Sequence, residues 1–242
     1  MNFDVSSGQG AIKIILRMYE SSKSKRQWGP LEWSVLRGSG IDIGPGPDPI
    51  LPDVRTFDME DGDANVITQY VHDTFDFVYS SHCLEHMHDP RAALQEWWKL
   101  VRPGGHLFFV VPDEDLYEQG VFPSRFNPGH KATFTLSKTA SWSPVSLSVL
   151  DLAHSLPGGK LVRIALQDAG YDRDMGHFGP PRTPLQRLLE NYRSRNIRTG
   201  FRIRGFGRLI RWFLCIDQTA APLDALAQIQ CIVRKTGHGE NA

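Results

Sequence analysis

FDFVYSSHCLEHMHDPRAALQEWWKLVRPGGHLFFVVP, residues 75–112, constrains the fold more than any other stretch of the chain. FDFVYSS is a short run of apolar and aromatic residues ending in serines, the pattern of a buried parallel strand. In DPRAALQEWWKLV, residues 89–101, Leu94, Trp97, Trp98 and Val101 recur at helical spacing, with Asp89 placed to cap the helix and Pro90 in its first turn. PGG is expected to stop that helix, and HLFFVVP follows as the most apolar strand of the sequence. Strand, helix, turn and strand make a βαβ unit, whose crossover is right-handed. The expected class is α/β.

Other segments extend the unit. VLRGSGIDIG and DVRTFDM read as two strands before it, KLVRIALQ and AQIQCIVRK as two after it, and Val145 to Ser155 as a further helix. Residues 113–143, rich in Pro, Ser, Thr, Asn and aromatics, suggest a long ordered loop above the sheet edge, a common place for function. Ala11 to Ser21 predicts a short amphipathic helix and SSKSKRQWGP a solvated connection, so residues 1–37 read as an N-terminal helical arm. The main domain then spans residues 38–242. At 242 residues the chain supports one sizeable core.

Charge is balanced, with 27 Lys plus Arg against 27 Asp plus Glu, so nothing global argues for nucleic acid. Its distribution is uneven. Acids dominate from Asp42 to Glu96, whereas arginines crowd the stretch after Tyr171, where residues 172–222 form a basic insertion before the last strand. Cys83, Cys215 and Cys231 are odd in number and show no CxxC spacing, which favours reduced thiols and a cytoplasmic setting. The first residues carry no signal-peptide pattern, and LIRWFLCI is too short and too interrupted to span a bilayer, so a soluble protein is expected.

IDIGPGPDP, residues 41–49, reads as a strand ending at Asp42 and running into a turn with Gly44 and Gly46, where the missing Cβ atoms let a ligand approach the backbone. Asp58 closes the next strand, where a carboxylate can accept hydrogen bonds from both ribose hydroxyls. Asp63, beside Ala64, offers another acid. In this order the residues resemble a class I S-adenosylmethionine-dependent methyltransferase, in particular the type 11 methyltransferase domain. The resemblance runs from Gly38 to Pro112. IDIGPGP stands at the glycine-rich motif, FDMEDGDA supplies the acids, FDFVYSSHCLEH resembles the strand and loop beyond the cofactor, and LVRPGGHLFFVVP the PGG turn and the strand after it.

The resemblance implies a Rossmann-like, doubly wound, mostly parallel sheet that binds S-adenosyl-L-methionine. It places Asp42, Gly44 and Gly46 around the methionine part of the cofactor, Asp58 at the ribose, Asp63 and Ala64 at the adenine, and Ser80, Ser81 and His82 beside the sulfonium. This sequence departs from the pattern in one respect. No third glycine follows Gly46, and Pro45, Pro47, Pro49 and Pro52 leave no room for a helix before the next strand, so the first crossover is expected to shorten to a loop. A sulfonium cofactor without phosphates does not need the helix N-terminus that a phosphate site would use.

HCLEH, residues 82–86, also fits the H-x-x-E-H pattern of inverted zinc peptidases, which requires both histidines on one helix. Here the motif directly follows a strand and stops just before the Asp-Pro cap, so no metal is assigned and a zinc hydrolase stands as the alternative. A catalytically silent cofactor- or partner-binding module is a second alternative. Methyl transfer to a hydroxyl calls for a base near neutral pH; His130 and His86 are the leading candidates, followed by Asp113. The segments VPDEDLYEQGVFPSRFNPGHKATF and SWSPVS resemble methyltransferases of bacterial surface-polysaccharide and glycan assembly. That resemblance implies a small-molecule or glycan acceptor, with Tyr117, Phe126 and Trp142 suited to a sugar. The basic insertion offers an anionic acceptor or a membrane surface a counter-charge.

Overall fold

The computed structural model describes residues 20–174, 179, 183–185, 188, 217–220 and 223–237. Among the described residues eight strands form: β1 (Gly40–Ile43), β2 (Arg55–Phe57), β3 (Phe75–Ser81), β4 (Val101–Pro112), β5 (Thr133–Thr135), β6 (Ser146–Ser148), β7 (Gly159–Gln167) and β8 (Gln228–Lys235). Six of them make one sheet in the order β2-β1-β3-β4-β8-β7, and β5 pairs with β6 in a separate parallel pair. β1 to β4 run parallel, while β8 is antiparallel to both β4 and β7. This is the α/β class that the strand patterns predict and the doubly wound, mostly parallel sheet that the resemblance implies. The chain order reverses at β1, so the carboxyl ends of β1 and β3 flank the switch point where such sheets open a ligand crevice.

The central strands are buried on both faces, which is why their sequences are continuously apolar rather than alternating. Along β4, Leu107, Phe109 and Val111 point to one face, with α3 (Pro90–Lys99) and α4 (Val149–His154); Phe108 and Val110 point to the other. On that second face Trp28 packs 5.1 Å from Phe108 and 6.0 Å from Tyr79, ring centre to ring centre. Asp89 caps α3 as its sequence predicts, accepting from the N–H groups of Arg91 and Ala92.

Three expectations are corrected. SSKSKRQWGP is no solvated connection: it holds α1 (Glu20–Lys25) and leads into α2 (Pro30–Val35), and Ser21, Lys23 and Ser24 are buried. The polar face of α1 finds its partners in the fold: the Ser22 hydroxyl and N–H donate to Asp48, Lys23 Nζ to Glu20 and the Thr219 carbonyl, and Lys25 to the Pro49 carbonyl. PGG is not the end of the helix but part of β4, in an irregular stretch where pairing with β3 skips from Phe75–Val101 to Phe77–His106. A Cβ on Gly105 would lie 2.6 Å from the Asp76 carbonyl, so the close approach of β3 demands glycine there. Val145–Ser155 divides into β6 and α4, because Ser148 caps the helix through the Asp151 N–H. The expected Ala11–Ser21 helix, apart from Glu20 and Ser21, and most of the basic insertion, with Cys215, lie outside the described residues.

The shortened first crossover holds. Residues 44–54, between β1 and β2, form turns without a helix, as the four prolines require.

Candidate functional site

The cofactor residues expected from the sequence gather at the carboxyl ends of β1, β2 and β3. Gly44 takes φ +70°, and a Cβ there would sit 2.6 Å from Cys83 Sγ, so the loop after β3 packs directly on this glycine. Gly46, at φ +54°, has open space where its Cβ would be. Its N–H donates to Asp58 Oδ2 at 2.9 Å, which holds the loop across the end of β2. Asp58 therefore faces the glycine turn just beyond the carboxyl end of β2. Ser80 ties the two strand ends together by donating to the Ile43 carbonyl.

Asp42 behaves differently. Its carboxyl is fully buried beneath the loop and accepts from the Ile50 N–H at 2.7 Å, while its second oxygen has no hydrogen-bond partner. Burial pushes this carboxyl up to about 7, against the lowering effect of the Ile50 bond. Asp42 thus braces the loop from below. Asp63 is exposed and caps a short 3-10 helix, Ala64–Gln69, through Asn65, which holds its carboxyl below the ordinary range; the Ala64 carbonyl accepts from Trp97. Neither residue shares the cavity described below.

That cavity, of about 290 Å³, opens beside the switch point. Its wall includes His82, Glu85 and His86 from the loop after β3, Tyr117 from a single π-helical turn (Glu114–Glu118) after β4, and Phe126, Asn127 and His130 from the long loop. Glu20 and Lys23 of α1 and Asp217, Thr219 and Ala220 close another side. The long loop is pinned in place by its own backbone, since the Lys131 N–H donates to the Glu85 carbonyl at 2.7 Å. His130, 43 residues downstream of Met87, is brought to HCLEH in this way.

Within the cavity His130 is buried, stacked on Tyr117 at 5.3 Å and edge-on to His86 at 5.0 Å. His130 Nδ1 lies 2.6 Å from Glu118 Oε1, and His86 Nδ1 lies 3.1 Å from the Gly129 carbonyl oxygen. Both acceptors require a proton on Nδ1 of the neutral ring, so each Nε2 keeps a lone pair. Glu85 is fully buried, with neither carboxylate oxygen hydrogen-bonded; Oε1 lies 3.5 Å from His82 Nδ1 and 3.8 Å from His130 Nε2. Burial works to raise the Glu85 carboxyl, but the neighbouring His82, above all, holds it below the usual carboxylate range.

His82 sits at φ +54°, with Nε2 2.9 Å from Gln228 Oε1. Burial would lower its pKa, yet the carboxylates of Glu85 and Glu20 carry it up to about 9. HCLEH contains only a three-residue 3-10 turn, Leu84–His86, with His82 outside it. The paired ligand geometry of an inverted zinc peptidase is therefore not formed.

Asp113 is separated from these groups. It caps the π-helical turn through the Asp115 and Leu116 N–H groups and lines a different depression, its carboxyl raised to about 6 by burial. Trp142 turns to Asp115 rather than to the cavity. Sequence reasoning missed Glu118, which is one acid among several in DEDLYE; only the folded loop sets it against His130, 12 residues away. It also missed Glu20, at the end of the expected Ala11–Ser21 helix, and Lys23, in the stretch read as a solvated connection.

The sequence profile described as "Methyltransferase domain" matches residues 30–193. A curated relative, the ubiquinone biosynthesis O-methyltransferase of Cronobacter sakazakii (strain ATCC BAA-894), is 35% identical over 79 residues, covering 29% of this chain and 31% of the relative. The aligned segment thus spans about a third of that protein. Among solved structures, a SAM-dependent methyltransferase from Archaeoglobus fulgidus is similar at a TM-score of 0.46 and 15% identity, covering 88% of this chain and 92% of the other. The YcgJ protein of Bacillus subtilis is similar at 0.43 and 13%, covering 86% and 97%.

Proposed function

The chain belongs to the methyltransferase domain family and is an S-adenosylmethionine-dependent methyltransferase, and on that premise we propose that it methylates a hydroxyl oxygen of a small polar acceptor, a sugar or glycan unit. The observation that carries this reading is the cavity at the switch point, where a buried imidazole is locked by a carboxylate beside the cofactor loop. The residues fit the cofactor. Gly46 leaves open space against the turn, and Asp58 sits beside it. When bound, S-adenosylmethionine supplies an electrophilic methyl group that passes in line to the acceptor oxygen, the electron pair of the broken C–S bond returning to sulfur.

The chain contributes alignment and removal of a proton. Glu118 accepts from Nδ1 of His130 and so leaves Nε2 free to take the hydroxyl proton. Tyr117 fixes the ring by stacking, and Asn127 and His86 offer hydrogen bonds to neighbouring hydroxyls. The cavity volume stands at the lower end of small-molecule sites, roughly 300–1,000 Å³, so it suits one ring of a larger acceptor. Tyr117 and Phe126 supply the apolar surface that the face of a sugar ring would cover. The name of the curated relative, an O-methyltransferase, agrees with transfer to oxygen.

The basic insertion proposed to meet an anionic acceptor or membrane surface lies mostly outside the described residues, although Asp217, Thr219 and Ala220 near its end line the cavity. No helix among the described residues is long and apolar enough to cross a membrane. The test is calorimetric titration with S-adenosylmethionine, then incubation with labelled cofactor and sugar, glycan and phenol acceptors. An O-methyl sugar located by mass spectrometry is the expected product. A methyl group found on nitrogen would overturn transfer to oxygen, and one found on a phenol would replace the acceptor class.

A further inference from the structure

We propose that Glu85, His86 and His130 form a binding site for one divalent transition-metal cation inside the cavity. The idea deepens the reading above and rests on it only for the cation's role, not for its binding. One ligand atom from each residue falls within 4.8 Å of the other two; with metal–ligand bonds of about 2.0–2.2 Å, a small side-chain rotation draws the three in around a single ion. Two imidazole nitrogens and one carboxylate oxygen favour a borderline ion such as Zn²⁺ over Mg²⁺ or Ca²⁺, which prefer oxygen donors.

Two further observations point to an ion rather than to three neighbours by chance. Glu85 is fully buried, yet neither of its carboxylate oxygens has a hydrogen bond, an arrangement that needs compensation by positive charge. His82 lies close enough to supply part of that charge, at 3.5 Å, but does not close a hydrogen bond. The second observation lies behind the imidazoles. The Glu118 carboxylate holds Nδ1 of His130 and the Gly129 carbonyl holds Nδ1 of His86, which is the outer shell that orients metal-binding histidines and presents Nε2. Three protein ligands leave positions open for the acceptor.

A cation there would take Nε2 of His130 as a ligand and assume the task assigned above to a base. Coordinated to the cation, the acceptor hydroxyl would lose its proton to water near neutral pH, as metal-bound water does. This site differs from the zinc motif legible in HCLEH. It leaves out His82 and recruits His130 from a loop that the motif does not contain.

The test uses the full-length chain stripped with a chelator and dialysed, titrated calorimetrically with Zn²⁺ and separately with Mg²⁺, and S-adenosylmethionine binding is measured on the same samples. About one equivalent of Zn²⁺ is expected, with Mg²⁺ much weaker. His86→Ala should weaken Zn²⁺ at least about 10-fold, and Glu118→Gln, which touches no ion, by roughly 10- to 100-fold. Zn²⁺ should raise the melting temperature of the wild type more than that of either variant, a comparison that also verifies folding. No saturable Zn²⁺ uptake by the wild type, or equal uptake by folded variants, would overturn the site. Cofactor binding without Zn²⁺ binding would overturn the site alone; Zn²⁺ binding without cofactor binding would support the site and count against the functional reading.

Discussion

Nδ1 of His130 and Oε1 of Glu118 stand 2.6 Å apart with both side chains buried, joining the long loop to the turn after β4. The pair fixes which nitrogen of His130 faces the cavity, whether that nitrogen accepts a proton or holds an ion. Glu118→Gln should lower kcat by about 10²-fold, the lower range for a misdirected acid–base group. Affinity for S-adenosylmethionine, measured by calorimetry, should stay within about twofold. An unchanged kcat would remove the pair from the mechanism.

Asp58 receives the Gly46 N–H and lies at the end of β2, where the ribose is expected. Asp58→Ala should weaken S-adenosylmethionine by about 1–3 kcal/mol, the range for losing a charged hydrogen-bonding group. Because the same change frees the glycine turn, S-adenosylhomocysteine should weaken in parallel. Equal affinities in wild type and variant would exclude Asp58 from the site.

The two loop glycines should differ in their response to alanine. Gly44→Ala meets both a left-handed backbone and Cys83 Sγ at 2.6 Å, so it should cost about 2 kcal/mol or more and lower Tm by roughly 4–8 °C. Gly46→Ala meets the backbone penalty alone, about 1–2 kcal/mol, but places a methyl group where the cofactor would approach. Thermal melts and cofactor titrations of both variants check this contrast.

Asp42 links stability to pH. Its folded pKa of about 7 stands above the ordinary 3.8, so between these values the unfolded chain has released a proton that the folded chain keeps. This contribution therefore makes stability fall as pH rises from about 4 to about 7, and the full penalty applies above that window. Asp42→Asn keeps an acceptor for Ile50 and removes the titration. Its Tm should fall less than that of the wild type between pH 5 and pH 8, and parallel curves would refute the assignment.

Trp28 lies in the segment expected from the sequence to precede the domain, yet it packs against Phe108 and Tyr79. Trp28→Ala should destabilise the fold by about 3–5 kcal/mol, measured by denaturant titration. A change below about 1 kcal/mol would mean that α1 and α2 are dispensable to the core.

Local chemistry made the sheet legible. The apolar runs of β3 and β4, the Asp89-Pro90 start of α3 and the four prolines after Gly44 each fix a backbone state within a few residues. Buried parallel strands must be continuously apolar, so these signals survive without any knowledge of their neighbours. The glycine turn and Asp58 were legible for the same reason. Other boundaries were not: PGG reads as a stop until β3 is seen to pass within van der Waals distance of Gly105. SSKSK reads as solvated until Asp48, Thr219 and Gln228 are seen to satisfy it.

By itself, then, the sequence determined the α/β architecture, the loop in place of the first helix, and the glycine turn after β1, all set by short-range sterics and burial; that Asp58 lies across from Gly46 is a tertiary contact. Tertiary structure alone decided which acid braces the loop and which imidazoles meet. Asp42 went beneath the turn and Asp113 to a cap. Glu85, Glu118, His86 and His130 converged because the Lys131 N–H pins a distant loop to the Glu85 carbonyl. Such contacts depend on the closure of long loops, and no spacing in the chain encodes them.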